Sequence, residues 1–151
     1  MIMKNGSENM EDNKWIVDIL KERGYKFTEQ RKAIIEVIGK KGEHYNASEI
    51  FERVGKKIPD VSFSTIYRNI ELLLGLGILK KISIEEGLNH FELASKDHHH
   101  HIICKSCGYV KEIDLCPYKD IEKKKLDEIG FEPTEHKFEI YGLCKKCKNK
   151  D

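Results

Sequence analysis

The sequence predicts an α+β protein in two parts: a helical N-terminal part that ends in a β-hairpin, and a small C-terminal α/β part. Apolar residues recur with a helical period between Trp15 and Leu74. The period becomes strand-like at 78–84 and 90–93. The 7 histidines and 5 cysteines are also unevenly placed, because only His44 precedes residue 90. We therefore expect the second part to bind something.

The first helices follow a polar N-terminal stretch. Residues 1–12 show no periodicity, so we expect a flexible arm there. The first helix runs from about Trp15 and stops at Gly24, and Thr28 is a plausible N-cap for the second.

Two further helices complete the helical part. Asn46 and Glu49 have the spacing of a capping box and open a third helix that must end before Pro59. A fourth begins after Ser62, with Ile66, Ile70, Leu73 and Leu74 on its apolar side. Helices followed by a hairpin outline a winged helix-turn-helix domain over residues 13–87, and a plain helical bundle is the alternative.

The polar face of the fourth helix is a candidate DNA-reading surface. In a helix-turn-helix domain, the N-terminal part of the recognition helix meets base edges. Arg68 could bind a guanine or a phosphate, and Arg31 could contact the DNA backbone. The DNA-contact candidates are Arg31, Ser64, Thr65, Tyr67 and Arg68.

The sequence of the second part predicts a small α/β domain over residues 98–151. Residues 88–97 are expected to form the hinge and the start of this second domain. Strands are expected at 101–104, 109–113 and 136–144, with a helix from Pro117 to Gly130. A unit of roughly 60 residues has too small a core for comfortable stability. We therefore expect a metal or a dimer partner to stabilise it.

The strongest chemical signal is a pair of C-x-x-C motifs. Each motif can present two thiolates from a tight turn, and four sulfurs around Zn²⁺ form a closed structural site. The ligands would be Cys104, Cys107, Cys144 and Cys147. A redox dithiol and four unlinked thiols are the alternatives. Cys116 is left over, and we interpret it as a half-buried small hydrophobic residue.

The histidine run at 98–101 is the second signal. In an extended segment His99 and His101 point to one side, and His98 and His100 to the other, so two adjacent metal sites are geometrically possible. Glu92 and Glu112 can face the same region. Such nitrogen and oxygen donors suit several divalent ions. An exposed polar loop is the alternative.

The overall composition excludes some classes of protein. The net charge is +1, so DNA contact would need a local patch rather than a basic bulk field. No apolar run approaches a membrane span, and the N-terminus lacks the apolar region of a secretory signal. We expect a cytoplasmic protein that does not contact a membrane.

Five motifs in order resemble the ferric uptake regulator (Fur) family, over about residues 14–147. They are T-E-Q-R at 28–31, H-Y-N-A-S-E-I at 44–50, S-T-I-Y-R-N-I at 64–70, H-H-H-H-I-I-C-K-S-C-G at 98–108 and I-Y-G-L-C-K-K-C at 140–147. The resemblance implies a homodimeric, metal-dependent transcriptional repressor that binds an AT-rich inverted repeat in double-stranded DNA. It also implies one structural Zn²⁺ per chain in the C-x-x-C pairs.

The resemblance further implies a regulatory metal site at the hinge between the domains. The matching positions are His44, Glu92, His99, His101 and Glu112. Some members of the family have a third site, whose histidine positions match His98 and His136 here. His100 stands where the family commonly has aspartate, and Lys119 where it has glutamate. We therefore do not expect the usual ligands at a third site formed by His98, His100 and His136.

The subfamily follows from finer features. Peroxide sensors tend to have aspartate where this chain has Glu92 and Glu112, which favours an iron-responsive regulator with Fe²⁺ as its metal. Zinc-uptake control and peroxide sensing are the alternatives within the family, with Zn²⁺ or Mn²⁺ as other possible ions. Outside it, the alternatives are a zinc-binding dithiol oxidoreductase, a metal hydrolase and a metal buffer, whereas we expect no enzyme activity.

Overall fold

The computed structural model of the chain describes residues 13–39, 44–83, 89–94, 98–120 and 123–150. These residues divide into two compact units, one formed by the described residues up to Ser83 together with Asn89–Ala94, the other by those from 98 onward. The expected arm at 1–12 and most of the expected hairpin turn lie outside the described residues. No helix in the described part of the chain is long and apolar enough to cross a membrane.

Four helices build the first unit, as the sequence predicts. Their starts are fixed by side-chain caps: Thr28 accepts from the backbone N–H of Arg31, and Ser62 accepts from that of Thr65. Asn46 and Glu49 form the reciprocal capping box, with both hydrogen bonds at 2.9 Å. The helices are α1 (Lys14–Glu22), α2 (Glu29–Ile38), α3 (Ala47–Gly55) and α4 (Phe63–Gly75).

The apolar stripes of these helices meet in one core. Ile66, Ile70 and Leu73 of α4 are fully buried, which confirms the predicted inward face of that helix. The hairpin packs on the same core through Leu79 and Phe91. The polar face of α4 is left at the surface.

The wing is a three-stranded antiparallel sheet rather than a two-stranded hairpin. Strands β2 (Leu79–Ser83) and β3 (Asn89–Leu93) pair along their whole lengths. The short strand β1 (Tyr45–Asn46) pairs with the other edge of β3, giving the order β1-β3-β2. Two residues are too few to show a period in the sequence, so this strand was not predicted.

This pairing bears on the domain boundary. The sequence suggested that the first domain ends at residue 87 and that a hinge covers 88–97. Because β3 pairs with β2 and β1, it belongs to the first unit. We propose that the connection between the units follows Ala94.

The second unit is built on a three-stranded sheet of order β5-β4-β6. The central strand β4 (His100–Cys104) pairs antiparallel with β5 (Val110–Ile113) and parallel with β6 (Glu139–Gly142). The predicted first two strands are thus confirmed, whereas the third is shorter than the predicted 136–144.

The helix predicted from Pro117 to Gly130 is different in the structure. A 3-10 helix, Pro117–Asp120, is followed by α5 (Lys123–Glu128), and residues 121–122 lie outside the described part. No residue of α5 is buried, and its first three residues are lysines, so little packing supports a longer helix. A last short helix, α6 (Lys145–Lys148), was not predicted.

Few aliphatic side chains are buried in the described part of the second unit. Among its described residues, the buried ones are His100, His101, Ile103, Cys104 and Cys116. Most of these are potential metal ligands rather than core residues. This packing supports the expectation that a bound metal or a dimer partner stabilises the second unit.

The capping box of α3 gives a stability prediction. Asn46→Ala removes an acceptor from the N–H of Glu49 and should destabilise the first unit by about 1 kcal/mol. Chemical denaturation followed by circular dichroism would measure this. Glu52→Ala, an exposed change within the same helix, should change stability by less than about 0.5 kcal/mol. Equal stability of Asn46→Ala and the unchanged protein would show that the box does not contribute.

Candidate metal centres and nucleic-acid interface

Four cysteine thiols converge at one end of the second unit. Cys104 ends β4 and Cys107 lies in the following turn, while Cys144 and Cys147 bracket the start of α6. Their Sγ atoms all lie within 4.8 Å of one another, and those of Cys107 and Cys144 are 3.7 Å apart. A tetrahedral zinc with sulfurs at about 2.3 Å requires sulfur–sulfur distances of about 3.8 Å. The Cys107–Cys144 distance is close to this value, and the other sulfurs lie close enough for the four to surround one zinc ion.

The backbone favours a thiolate at the centre of this cluster. Hydrogen bonds from the backbone of Cys107 and then of Cys144 lower the pKa of Cys104 to about 6. The N–H of Cys144 donates to Cys104 Sγ at 3.3 Å. At Cys107 the backbone of Tyr109 favours the thiolate, but burial and the neighbouring thiols outweigh it and raise the pKa to about 11. A cation would be needed for all four sulfurs to be thiolates at this spacing.

In the first unit, a buried histidine–carboxylate pair lies at the edge of the wing. His44 immediately precedes β1, and the pairing of β1 with β3 brings it beside Glu92. The Nε2 of His44 and an oxygen of Glu92 are 2.8 Å apart. The structure thus brings together two of the five residues that the resemblance implies for a regulatory metal, because β1 pairs with β3.

In the second unit, the other three assigned residues lie together. His99 and His101 point to the same side of the β4 segment, with ring centroids 5.0 Å apart. Glu112 is directly opposite His101 in the β4–β5 register, and its carboxylate lies 3.6 Å from Nε2 of His99. Two imidazoles and a carboxylate are donors that a divalent ion such as Fe²⁺, Zn²⁺ or Mn²⁺ can accept.

His98 and His100 lie in a separate cluster, as the alternation predicts. They meet His136, which the resemblance assigned to a third site, and Cys116, which the sequence analysis interpreted as a small hydrophobic residue. Cys116 is buried, but it contacts His98 at 3.1 Å and His136 at 3.4 Å through its sulfur. That interpretation was therefore incomplete, because its partners are distant in sequence and no local pattern reveals them.

Burial favours the metal-binding form of His100. Desolvation lowers the pKa of His100 from its usual value, and the neighbouring His98 and His136 lower it further. A neutral imidazole offers a lone pair to a metal ion, whereas a protonated one does not.

The exposed face of α4 carries most of the predicted DNA-contacting residues. Tyr67 is about half exposed, and Ser64 and Arg68 are exposed. Thr65 instead takes part in the helix cap, since its hydroxyl lies 2.8 Å from that of Ser62.

Arg31 links two helices of the first unit. Its Nε donates to the side-chain oxygen of Asn69 at 3.0 Å, and another guanidinium N–H donates to the carbonyl of Lys26. Asn69 in turn donates to the carbonyl of Thr65. Asn69 received no role from the sequence, because its contact with Arg31 joins α2 to α4. Arg31 thus helps to position the predicted recognition helix α4.

Comparison with known proteins identifies relatives of this chain. A family model described as the ferric uptake regulator family matches residues 22–141. The ferric uptake regulation protein of Staphylococcus epidermidis (strain ATCC 12228 / FDA PCI 1200) is 36% identical over 135 residues, which cover 89% of this chain and 94% of that protein.

Two solved structures are similar in fold. The ferric uptake regulator of Vibrio cholerae aligns with a TM-score of 0.73 and 28% identity, over 85% of this chain and 99% of that one. The Helicobacter pylori ferric uptake regulator aligns with a TM-score of 0.79 and 22% identity, over 100% and 99% of the two chains. With a family model that matches most of its length and a relative at 36% identity, the chain belongs to the ferric uptake regulator family.

Proposed function

We propose that the protein is a metal-dependent transcriptional repressor that acts as a homodimer and responds to iron. The observation that carries this proposal is that one chain has an exposed polar helix face and two chemically different kinds of metal-donor cluster. A winged helix presents an exposed polar helix face, while sulfur donors and mixed nitrogen–oxygen donors lie in distinct clusters. Structural and regulatory metals can therefore be held by different residues.

The four cysteines would hold one structural Zn²⁺ per chain. Their closed, four-sulfur arrangement leaves no open position for a substrate or a reactive water. A dithiol oxidoreductase would need one pair to cycle separately from the other. The convergence of all four sulfurs supports a zinc site and a protein that is not an enzyme.

The regulatory ion would use donors from both units. His44 and Glu92 of the first unit offer two donors, and His99, His101 and Glu112 of the second offer three. Neither set alone completes a five- or six-coordinate site. An ion that binds both sets together favours one arrangement of the units over all others, and this differential affinity is what allows metal to control DNA binding.

Iron is the proposed signal for two reasons. The donors are imidazoles and carboxylates, which accept Fe²⁺, and a relative that matches most of the chain is named a ferric uptake regulation protein. Zinc-uptake control, with Zn²⁺, remains a second candidate because the same donors bind it. Peroxide sensing is less favoured, since glutamates stand at positions 92 and 112.

The DNA partner would be an AT-rich inverted repeat. A homodimer presents two copies of α4 at a fixed spacing, so its site should have matching two-fold symmetry. The second unit exposes several large apolar side chains that a partner subunit would cover. They include Tyr109, Leu115, Ile129, Phe131 and Leu143.

Removing one sulfur should release the structural zinc. Cys144→Ser leaves three thiols and should lose chelator-resistant zinc, together with the folded state of the second unit. Elemental analysis after dialysis against a chelator, with circular dichroism, measures both effects. The neighbouring exposed change Lys145→Ala should keep zinc and fold. Full zinc retention in Cys144→Ser would contradict the assignment.

Neutralising Glu92 should weaken metal activation. Glu92→Gln removes a charged donor, so half-maximal DNA binding should require about tenfold or more Fe²⁺. Anaerobic fluorescence anisotropy on the inverted repeat, repeated with Mn²⁺ and Zn²⁺, gives this value and ranks the ions. Glu52→Gln, exposed on α3, is the matched control. An unchanged activation curve would remove Glu92 from the regulatory site.

Arg68 should contribute to DNA affinity and not to metal binding. Arg68→Ala should weaken binding to the inverted repeat by about 1–3 kcal/mol, with zinc content unchanged. Lys124→Ala removes one positive charge from exposed α5 and serves as the control. Equal affinity of Arg68→Ala and the unchanged protein would exclude Arg68 from DNA contact.

A further inference from the structure

Phe63 begins α4, the predicted recognition helix, and the proposed function gives it no role. Its ring meets the ring of Phe51 on α3 edge to face, with the two centroids 5.6 Å apart. It also stacks on Tyr67, one helical turn further along α4, with the centroids 6.4 Å apart and the planes at 23°. Phe63 is thus the middle member of a row of three rings that runs from α3 along the start of α4.

The outer part of this row is open to solvent. Phe63 is 44% exposed and Tyr67 is 48% exposed. Ser64 and Arg68 have the same spacing of four residues and form a neighbouring exposed row on the helix. Because burial of an aromatic ring is favourable, core packing does not account for a phenylalanine that is left this open.

The first turn of α4 is held by its cap. Ser62 accepts a hydrogen bond from the N–H of Thr65 at 3.1 Å, and the two hydroxyl oxygens are 2.8 Å apart. Side chains on a helix lean toward its N-terminus, so the Phe63 ring lies over the tip of α4. In a helix-turn-helix domain this tip is the part that approaches the base edges in the major groove. The contact with Phe51 fixes the ring from the other helix of the motif.

Thymine is the base that offers an apolar group in the major groove. Its C5-methyl group lies at the groove surface, beside hydrogen-bonding groups that a phenylalanine ring cannot bind. Contact between an apolar side chain, such as phenylalanine, and this methyl group is a known form of base recognition. The proposed AT-rich repeat presents such methyl groups, and their chemistry matches that of the exposed Phe63 ring.

We propose that Phe63 is a specificity-determining residue that contacts the C5-methyl group of one thymine in each half-site. This inference rests on the proposed function as a DNA-binding repressor and adds a residue to its readout. Phe63 supplies an apolar contact at the tip of α4, next to the polar and charged candidates Ser64 and Arg68. The symmetry of the homodimer would place one such contact in each half of the repeat.

Exchange of thymine for uracil tests the contact, because uracil lacks only the C5-methyl group. The probe is a DNA duplex with the inverted repeat that the Fe²⁺-loaded, full-length protein selects from a random pool. Each thymine of one half-site is replaced in turn by deoxyuridine, and anaerobic fluorescence anisotropy gives the affinity. At the thymine that Phe63 contacts, the exchange should weaken binding by about fourfold, the factor for one buried methyl group.

Phe63→Ala should remove this penalty at one position of the half-site. In the variant, thymine and uracil at that position should differ in affinity by less than about twofold, as in a double-mutant cycle whose partners no longer touch. Phe27→Ala removes another exposed aromatic ring of the first unit, outside α4, and should keep the full penalty. An unchanged thymine preference at every position in Phe63→Ala would overturn the proposal.

A crosslinking measurement on the unchanged protein removes any dependence on how Phe63→Ala folds. 5-Iodouracil carries iodine in place of the thymine methyl group and forms a photochemical crosslink to a side chain in contact with it. With this base at each thymine position in turn, tandem mass spectrometry of the digested complex should locate a crosslink at Phe63. Crosslinks at Tyr67 or elsewhere, with none at Phe63 for any position, would contradict the assignment.

The two proposals fail in different ways. If the Fe²⁺-loaded protein selects no DNA from the pool, the proposed repressor function fails, and the role of Phe63 fails with it. If the protein binds its selected repeat but Phe63 neither crosslinks nor affects thymine preference, only the role of Phe63 is overturned.

Discussion

The two-residue period of the β4 segment determines the chemistry of the second unit. Side chains of a strand alternate between its faces, so four consecutive histidines separate into two pairs. His99 and His101 meet Glu112, and His98 and His100 meet Cys116 and His136. The same strand ends at Cys104. A shift of one residue in the β4–β5 register would exchange the two pairs and dismantle both clusters.

The proposed four-cysteine zinc site would also help to hold this register. β4 lies in the middle of the sheet, and its parallel partner β6 arrives from far along the chain. Among the described residues of the second unit, few aliphatic side chains are buried, so packing among them fixes the approach of β6 weakly. The four-cysteine cluster joins the end of β4 to the residues after β6, and His136 joins the segment before β6 to β4. Metal binding and sheet formation in this unit should therefore be strongly coupled.

Features that depend on near neighbours could be predicted from the sequence, and features that depend on distant ones could not. The caps at Thr28, Asn46 and Ser62 follow from residues within one helical turn. The four cysteines, whose sulfurs the structure brings within 4.8 Å of one another, could be grouped from the sequence because each C-x-x-C motif is a local turn. In contrast, Cys116 has no local motif, and its histidine partners lie 18 and 20 residues away. The pairing of β1 with β3, which brings His44 to Glu92, involves only two residues of β1 and leaves no periodic signal.

The near-neutral charge of the chain gives the proposed switch its physical logic. With a net charge of +1, a general attraction to DNA phosphates is weak, so affinity must depend on the placement of a few side chains on two subunits. A bound ion can control where these side chains lie, because it can favour one arrangement of the units. An ion held by His44 and Glu92 alone, or by His99, His101 and Glu112 alone, would bind with much the same strength in every arrangement of the units, and so would shift nothing. Only an ion that needs both sets of donors distinguishes one arrangement of the units from the rest. The free energy available for control is the difference between the binding free energy of the ion with all five donors and its binding free energy with the stronger of the two partial sets.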